Sequence, residues 1–178
     1  MRGLKYMAKR IIYGCVSVAL VLCLGCQAKD YNERIGPYNV NFTLDDKIAS
    51  MAEMIQNITS IETPEGIPYT KYLLISQIKG TNFMGWGGFW IEHYDAPLKM
   101  NLEALAKDKP ASGIRADTVC NSSNQTIDGH EGIVVDCCCI GKVKTHRYRF
   151  AYQLDNQTSV SGFYGTGDFL KSLHVSVT

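Results

Sequence analysis

Apolar and polar residues follow regular patterns in the first half of this chain, and these patterns predict both strands and a helix. Tyr38–Leu44 alternates apolar with polar residues, as expected of a half-buried strand. In Lys47–Ile58 apolar residues recur at helical spacing after the helix-start signal Asp45-Asp46, which predicts an amphipathic helix. Tyr69–Lys79 and Phe89–Tyr94 are predicted as the two strands of a hairpin.

The second half predicts one more amphipathic helix and then an antiparallel meander. The helix is expected to start at Asp95-Ala96-Pro97 and to bury Leu98, Leu102, Leu105 and Ala106. The predicted strands are Ile114–Val119, Gln125–Ile127, Gly132–Ile140, Val143–Leu154 and Thr158–Tyr164. A short helix, Phe169–Leu173, closes the pattern. The fold class predicted is α+β, a central antiparallel sheet flanked by helices in an α/β/α sandwich.

The N-terminal segment is typical of a secretory leader. Four basic residues precede an apolar run at Ile11–Leu24 that is about 14 residues long, shorter than the roughly 20 needed to span a bilayer. Gly25-Cys26 matches the last two positions of a lipobox, although Cys23 stands where that motif has leucine. We expect Cys26 to carry the lipid anchor. The alternatives are that Cys26 is an ordinary leader residue with cleavage at Ala28, or that the leader remains as a membrane span.

Composition agrees with one secreted domain. We expect a signal peptide at 1–25, an anchor and polar tether at 26–35, and a single extracytoplasmic domain at 36–178. Removing the four basic leader residues from the 18 Lys and Arg leaves 14 against 17 acidic residues, a net charge of −3. This balance provides no basic footprint for nucleic acid, so the expected partner is the membrane, reached through the anchor.

Five Asn-X-Ser/Thr triplets suggest N-glycosylation, because few would arise by chance in a chain of this length. They begin at Asn41, Asn57, Asn121, Asn124 and Asn156. A lipobox together with such triplets makes an archaeal cell envelope the most economical setting.

The cysteines predict a disulfide. With Cys26 lipidated and the leader removed, Cys120, Cys137, Cys138 and Cys139 remain. An even remainder outside the cytoplasm favours disulfides over a metal site. A four-residue turn after Ile127 would place Cys120 opposite Cys139 on antiparallel strands, within disulfide reach. A slip of two residues would place Cys137 there instead, which is the second choice.

A thiolate metal site built from Cys137–Cys139 with His130 or His146 is the competing interpretation of these cysteines. Adjacent cysteines on a strand face opposite ways, whereas tetrahedral sites usually draw on Cys-X₂₋₄-Cys loops. We therefore predict neither a metal nor a cofactor.

Three aromatic residues share one face of a predicted strand by two-residue parity. Trp86, Trp90 and Tyr94 could stack on a sugar or on another flat ligand. The alternative is that they pack beneath a helix.

Enzyme motifs are lacking in the sequence. Ser161-Gly162 has no nucleophile elbow around it, and His130-Glu131 lacks the second histidine of a zinc-protease helix. Asp128, His130 and Glu131 could form a small acid/base cluster, but residues of this kind in a turn are usually solvated. We expect no enzymatic activity, with a secreted enzyme of unrecognised motif as an alternative.

The order of elements resembles the PsbP-like sandwich group, which includes LpqN-type and DcrB-type surface lipoproteins. The resemblance covers roughly Gly36–Val177 and rests on the Ile127–Gly129 hairpin and the closing Asp168-Phe169-Leu170-Lys171-Ser172-Leu173. It implies a sheet flanked by helices and a role in binding or assembly, and it carries over no site residues. We therefore expect a lipid-anchored domain on the extracytoplasmic face that binds or scaffolds, or alternatively a solute- or sugar-binding module.

Overall fold

The computed structural model describes residues 28–81, 84–108, 118–139, 146–164 and 167–178, with backbone alone at 84–86, 118, 138–139, 146 and 167–168. Strands make up 66% of the described residues and helices 14%, and every strand pairing is antiparallel. The antiparallel sheet is therefore confirmed. The share of helix is lower than a sandwich with helical layers would have.

The described strands form two sheets. The strands are β1 (Ala28–Ile35), β2 (Tyr38–Asp45), β3 (Ala52–Glu62), β4 (Pro68–Ile78), β5 (Met84–Tyr94), β6 (Thr118–Ile127), β7 (His130–Cys139), β8 (His146–Gln153), β9 (Thr158–Tyr164) and β10 (His174–Val177). The small sheet has the order β1-β2-β10, and the large sheet has the order β3-β4-β5-β9-β8-β7-β6. The helices are α1 (Asp46–Met51), α2 (Leu102–Asp108) and α3 (Gly167–Ser172).

The segment predicted as a polar tether is strand β1. Gly36 has a φ of 59°, a left-handed conformation that suits glycine, and it turns the chain so that β1 pairs with β2 along its whole length. The Tyr31 ring stacks on Phe42 with centroids 5.1 Å apart, and Ile35 is buried. The tether prediction for residues 28–35 is therefore wrong, since two inward-facing side chains tie this polar stretch to the core.

The helix predicted over Lys47–Ile58 is only partly present. Asp45 Oδ1 accepts a hydrogen bond from Lys47 N at 2.9 Å and begins α1, but α1 ends at Met51. From Ala52 onward the chain is strand β3, which pairs with β4 in an unbroken ladder. The helix prediction for 52–58 is wrong because pairing with β4 along the whole of β3 outweighs the helical spacing, and because β-branched residues, which favour strands, follow at Ile58, Thr59 and Ile61.

The main core lies between the two sheets. Tyr38, Val40, Phe42 and Leu44 point from β2 toward the large sheet, where the Phe42 ring meets Phe89 edge to face at 6.1 Å. Helix α3 closes this layer with Phe169 and Leu170. The other face of the large sheet, which we call the outer face, is covered in part by α2.

The remaining predicted elements agree with the structure to different degrees. The strand Thr158–Tyr164 has the predicted bounds, whereas the helix predicted from Asp95 begins only at Leu102, so Pro97 and Leu98 lie in the preceding loop. Residues 114–117, 140 and 143–145 of the predicted meander strands lie outside the described residues. Among the described residues, no helix has the length and apolar content that crossing a bilayer requires.

Candidate functional site

Helix α2 is fixed on the outer face of the large sheet at both of its ends. Asn101 Oδ1 accepts a hydrogen bond from Ala104 N at 3.0 Å, which caps the first turn. Arg149 Nη1 donates to Lys107 O at 2.8 Å and so binds a carbonyl of the last turn. Between these ends, the helix packs an apolar stripe against β7 and β8; the cluster contains Leu102, Leu105, Ala106, Ile133, Val135, Cys137 and Ala151.

A groove of about 550 Å³ lies between the start of α2 and the β6–β7 hairpin. It is lined by Met100, Asn101, Leu102, Glu103, Asn124, Gln125, Thr126, Glu131, Gly132 and Ile133. Met100, Leu102 and Ile133 are half-buried, whereas the amide and carboxylate side chains are exposed. The groove therefore combines apolar surface with a polar rim, which is the usual composition of a small-molecule site.

Glu103 links the helix wall of this groove to the strand wall. Its Oε1 accepts hydrogen bonds from Lys107 Nζ at 2.7 Å and from Ser122 Oγ at 2.8 Å. The hydrogen bond from Lys107, followed by that from Ser122, lowers the pKa of the Glu103 carboxyl. Glu103 is therefore an anion at neutral pH, and Glu131 supplies a second carboxylate to the lining.

The donors and acceptors of the groove determine which ligand chemistry it can accommodate. Asn101, Asn124 and Gln125 offer amides that both donate and accept, and Thr126 offers a hydroxyl. Such groups suit a ligand that bears hydroxyls or an ammonium group and has one apolar face.

A second polar feature crosses the outer face of the large sheet. Lys71, Glu92 and Ser159 are directly opposed on β4, β5 and β9, and Gln153 follows on β8. Glu92 is only 4% exposed, with Lys71 Nζ at 3.8 Å and the Tyr94 hydroxyl donating to it at 3.2 Å. Burial, and then the Glu92 charge, raises the pKa of Tyr94, so this phenol stays a donor.

Two serine hydroxyls beside this row have no partner. Ser159 and Ser161 are both fully buried, and neither Oγ makes a hydrogen bond. A serine acts as a nucleophile only when a neighbouring base accepts its proton. Neither serine has such a base among the described residues, and Glu92 is contacted by Lys71 and the Tyr94 hydroxyl rather than by these serines.

The predicted aromatic stacking surface is not exposed at two of its three positions. Trp90 is 5% exposed and packs against Phe163 at 5.9 Å, whereas Tyr94 is 8% exposed and stacks on Tyr69 at 4.9 Å. The stacking role predicted for Trp90 and Tyr94 is therefore wrong, because neighbouring strands contribute rings that cover them. The side chain of Trp86 lies outside the described residues.

The disulfide joins Cys120 to Cys137, with their Cα atoms 4.0 Å apart. Cys139 pairs instead with Thr118, so the first choice of Cys120–Cys139 is wrong and the second choice is confirmed. The reason is the turn. Only Asp128 and Gly129 lie between the strands, and Ile127 therefore opposes His130 rather than Gly132.

Asp128, His130 and Glu131 do not form an acid/base cluster. Asp128 Oδ1 lies 2.6 Å from His174 Nδ1, and its Oδ2 accepts hydrogen bonds from Val175 N and the Tyr152 hydroxyl. His130 stacks on Tyr152, whereas Glu131 lines the groove. Asp128 therefore acts as a bridge between the β6–β7 turn and β10.

The five predicted glycosylation asparagines lie on strands or in a turn. Asn41 is half-buried on β2, and the other four are exposed: Asn57 on β3, Asn121 and Asn124 on β6, and Asn156 in the β8–β9 turn. Asn124 also lines the groove.

The predicted lipidation residue, Cys26, lies outside the described residues, as does the rest of the leader. Within the part of the chain that the structure describes, no three His, Cys, Asp or Glu residues lie close enough together to hold a metal ion. Cys137, one member of the proposed thiolate site, is bonded to Cys120.

Comparison with family models, with curated proteins and with solved structures finds no match to this chain. The described residues form an antiparallel β-rich domain that carries an amphipathic groove on the outer face of its large sheet.

Sequence reasoning missed most residues of the groove. In the sequence, Asn124 is marked only by its glycosylation triplet, and Glu131 belongs to a predicted solvated turn. Asn101 and Glu103 stand at the start of a helix, where polar residues are common, so nothing local distinguishes them. Only the packing of α2 on the β6–β7 hairpin brings these residues together.

Proposed function

We propose that this chain is a lipid-anchored protein of the extracytoplasmic face whose domain binds or scaffolds and is not an enzyme. The observation that carries the proposal is the leader-like segment followed directly by Cys26, which stands two residues before strand β1 begins. This spacing is consistent with a domain held directly at the membrane. The Cys120–Cys137 disulfide supports an oxidising compartment.

Substitution of the anchor residue tests this proposal. Cys26→Ala is expected to remove the lipid and release the domain from membranes, with both effects read by intact mass spectrometry of the fractions. Cys15→Ala, the same change within the leader, serves as the control and is expected to leave lipid and membrane association unchanged. Retention of unlipidated Cys26→Ala in the membrane would contradict the lipoprotein and favour an uncleaved span.

The groove supports a second function, the binding of a small polar solute such as a sugar. This replaces the aromatic strand as the place where such a ligand would bind, because Trp90 and Tyr94 are covered. Two carboxylates and three amides around an apolar floor support hydroxyl-rich or amine-bearing ligands.

Asn124→Ala tests the groove because it removes an amide from the lining. We expect it to weaken the binding of a sugar or amine found by calorimetric screening by about tenfold, the loss of one or two hydrogen bonds. Asn121→Ala, compared in protein produced without N-glycans, is the matched control, since Asn121 lies on the same strand outside the groove. Equal effects of the two changes would place the ligand elsewhere.

The finer fold assignment is also a proposal. The position of α2 on one face of the large sheet, with α3 on the other, supports a distant relation to the PsbP-like group. For N-glycans, we favour Asn121 and Asn156, which are exposed and lie outside the groove and the open edge of β3. Peptide mass spectrometry of the native chain tests these positions.

A further inference from the structure

Strand β3 is an open edge of the large sheet with unusually little protection. It is 11 residues long and pairs with β4, and no other described strand pairs with its second side. Three isoleucines stand out on it: Ile55 and Ile61 are each 39% exposed, and Ile58 is 54% exposed. The strand contains no lysine, arginine or proline, the residues that normally blunt such an edge.

The other described edge strands are protected. β1 carries Lys29, Asp30, Glu33 and Arg34, and β10 has only 4 residues. β6, at the far edge of the large sheet, carries a run of polar residues from Asn121 to Thr126. Exposed large apolar residues also occur on two of these strands, at Val119 of β6 and Val177 of β10, but each stands alone there, whereas β3 carries three.

The hydrogen bonds at both ends of β3 show which backbone groups face the open side. Lys79 N donates to Met51 O at 3.0 Å, and Thr63 N donates to Ile67 O at 2.9 Å. Both bonds continue the β3–β4 register by one residue beyond each end of β3, and the residues on the β3 side, 51 and 63, are odd-numbered. Because hydrogen-bonded pairs alternate along an antiparallel ladder, the even-numbered residues of β3 present their N–H and C=O groups to the open side. Ile58 is among them.

We propose that β3 pairs with β3 of a second copy of this chain, antiparallel, about a two-fold axis at Ile58. The three isoleucines are spaced symmetrically about this position, so the pairing places each Ile55 opposite Ile61 of the other copy and Ile58 opposite its own equivalent. Even-numbered residues then oppose even-numbered residues, and the free N–H and C=O groups of both edges are satisfied.

The charges of β3 fit this register. Glu53 faces Thr63 of the second copy and Glu62 faces Met54, so no like charges are opposed. Moving the axis to Gln56 would place Ile55 opposite Asn57. Moving it to Ser60 would place Ile58 opposite Glu62. Of these three registers, the one with its axis at Ile58 places each of the three isoleucines opposite another isoleucine.

Cysteine cross-linking of the full chain in detergent tests both the dimer and its register. Residues opposed across an antiparallel pair lie about 4.5–5.5 Å apart at Cα, within disulfide reach. Ile58→Cys is therefore expected to form a covalent dimer under mild oxidation. Ser60→Cys, exposed on the same strand face, faces Gln56 of the second copy and is expected to give only the cross-linking seen with the unmodified chain. The reverse result, or equal cross-linking at both positions, would overturn the register.

The mass of the full chain in detergent, measured by sedimentation, tests the association itself. We expect two copies for the unmodified chain and a dissociation constant raised by roughly tenfold for Ile58→Lys, since two lysines would oppose each other. Val177→Lys, at another exposed apolar position on a short edge strand, is the control and should leave the dimer intact. A monomer at tens of micromolar chain would overturn the proposal.

Asn57 provides an independent test in the native protein. In the proposed pairing it stands opposite Thr59 of the second copy, and a glycan there would crowd the interface. Peptide mass spectrometry is expected to find Asn57 mostly unmodified. Full occupancy of Asn57 by a glycan would overturn the proposal.

Discussion

Removal of the Asp128 carboxylate is expected to destabilise the domain strongly, although its side chain lies in a two-residue turn. Its Oδ2 accepts hydrogen bonds from Val175 N at 2.8 Å and from the Tyr152 hydroxyl at 3.3 Å. Tyr152 is fully buried, so Asp128→Ala leaves its hydroxyl without an acceptor and without water. Asp128 also has a φ of 51°, a conformation that aspartate and asparagine tolerate better than alanine.

The magnitude follows from these contacts. Hydrogen bonds to a charged acceptor contribute about 1.5–3 kcal/mol each, and alanine in the left-handed region costs about 1 kcal/mol more. The contact with His174 adds little because the histidine side chain is 58% exposed. We therefore expect the free energy of unfolding to fall by about 4 kcal/mol for Asp128→Ala. Asp128→Asn keeps a residue that tolerates the left-handed backbone conformation and keeps one carbonyl oxygen as an acceptor. We therefore expect the free energy of unfolding to fall by only about 2 kcal/mol for this change.

Urea unfolding followed by circular dichroism measures these differences. Glu131→Ala, an exposed acid three residues away, is the control and should change the unfolding free energy by less than about 0.5 kcal/mol. A loss below about 1 kcal/mol for Asp128→Ala would refute the bridge between the hairpin and β10.

Three further predictions concern the core and its covalent link. Non-reducing peptide mapping should find Cys120 linked to Cys137, and a peptide that links Cys120 to Cys139 would contradict the register. Reduction of this disulfide, whose cysteines are separated by 17 in the sequence, should lower the free energy of unfolding by about 3 kcal/mol. Gly162→Ala should lower the free energy of unfolding in urea by about 1–3 kcal/mol, since the added Cβ would lie 2.8 Å from the Phe150 ring in a packed sheet. An unchanged unfolding midpoint would contradict this prediction and would show that the neighbouring strands move to make room. Burial raises the pKa of Tyr94 and Tyr164, so these phenols lose their protons at lower pH in the unfolded chain than in the folded one. The free energy of unfolding should therefore fall above about pH 10. Tyrosinate absorbance that develops fully before the chain unfolds would contradict this.

The sequence predicts best where local pattern and tertiary pairing agree. Thr158–Tyr164 was expected with the bounds it has, because a strand that is buried throughout is almost continuously apolar or small. The Asp128-Gly129 hairpin was also expected. The length of its turn was not, and a difference of two residues moved the partner of Cys120 from Cys139 to Cys137.

Prediction fails where distant contacts decide the structure. Ile55 and Ile58 fit the predicted helix by spacing, and their pairing with β4 makes them part of a strand. Tyr31 and Ile35 in a polar stretch carry too weak a pattern to reveal β1, which is ordered by its contact with β2. Neither the covering of Trp90 nor the groove could be derived from the sequence, since both depend on which strands become neighbours.

The disulfide joins the two strands that form one wall of the groove. The strand wall of the groove is the β6–β7 hairpin. Its outer strand, β6, is the edge of the large sheet, so that its only described strand partner is β7. Cys120–Cys137 closes this hairpin at one end, and Asp128 ties its turn to β10 at the other. A wall fixed at both ends is preorganised for a ligand, which reduces the ordering cost of binding. If the groove binds a solute as proposed, reduction of the Cys120–Cys137 disulfide should therefore weaken the affinity for that solute. The oxidising compartment inferred from the leader would then be required for tight binding.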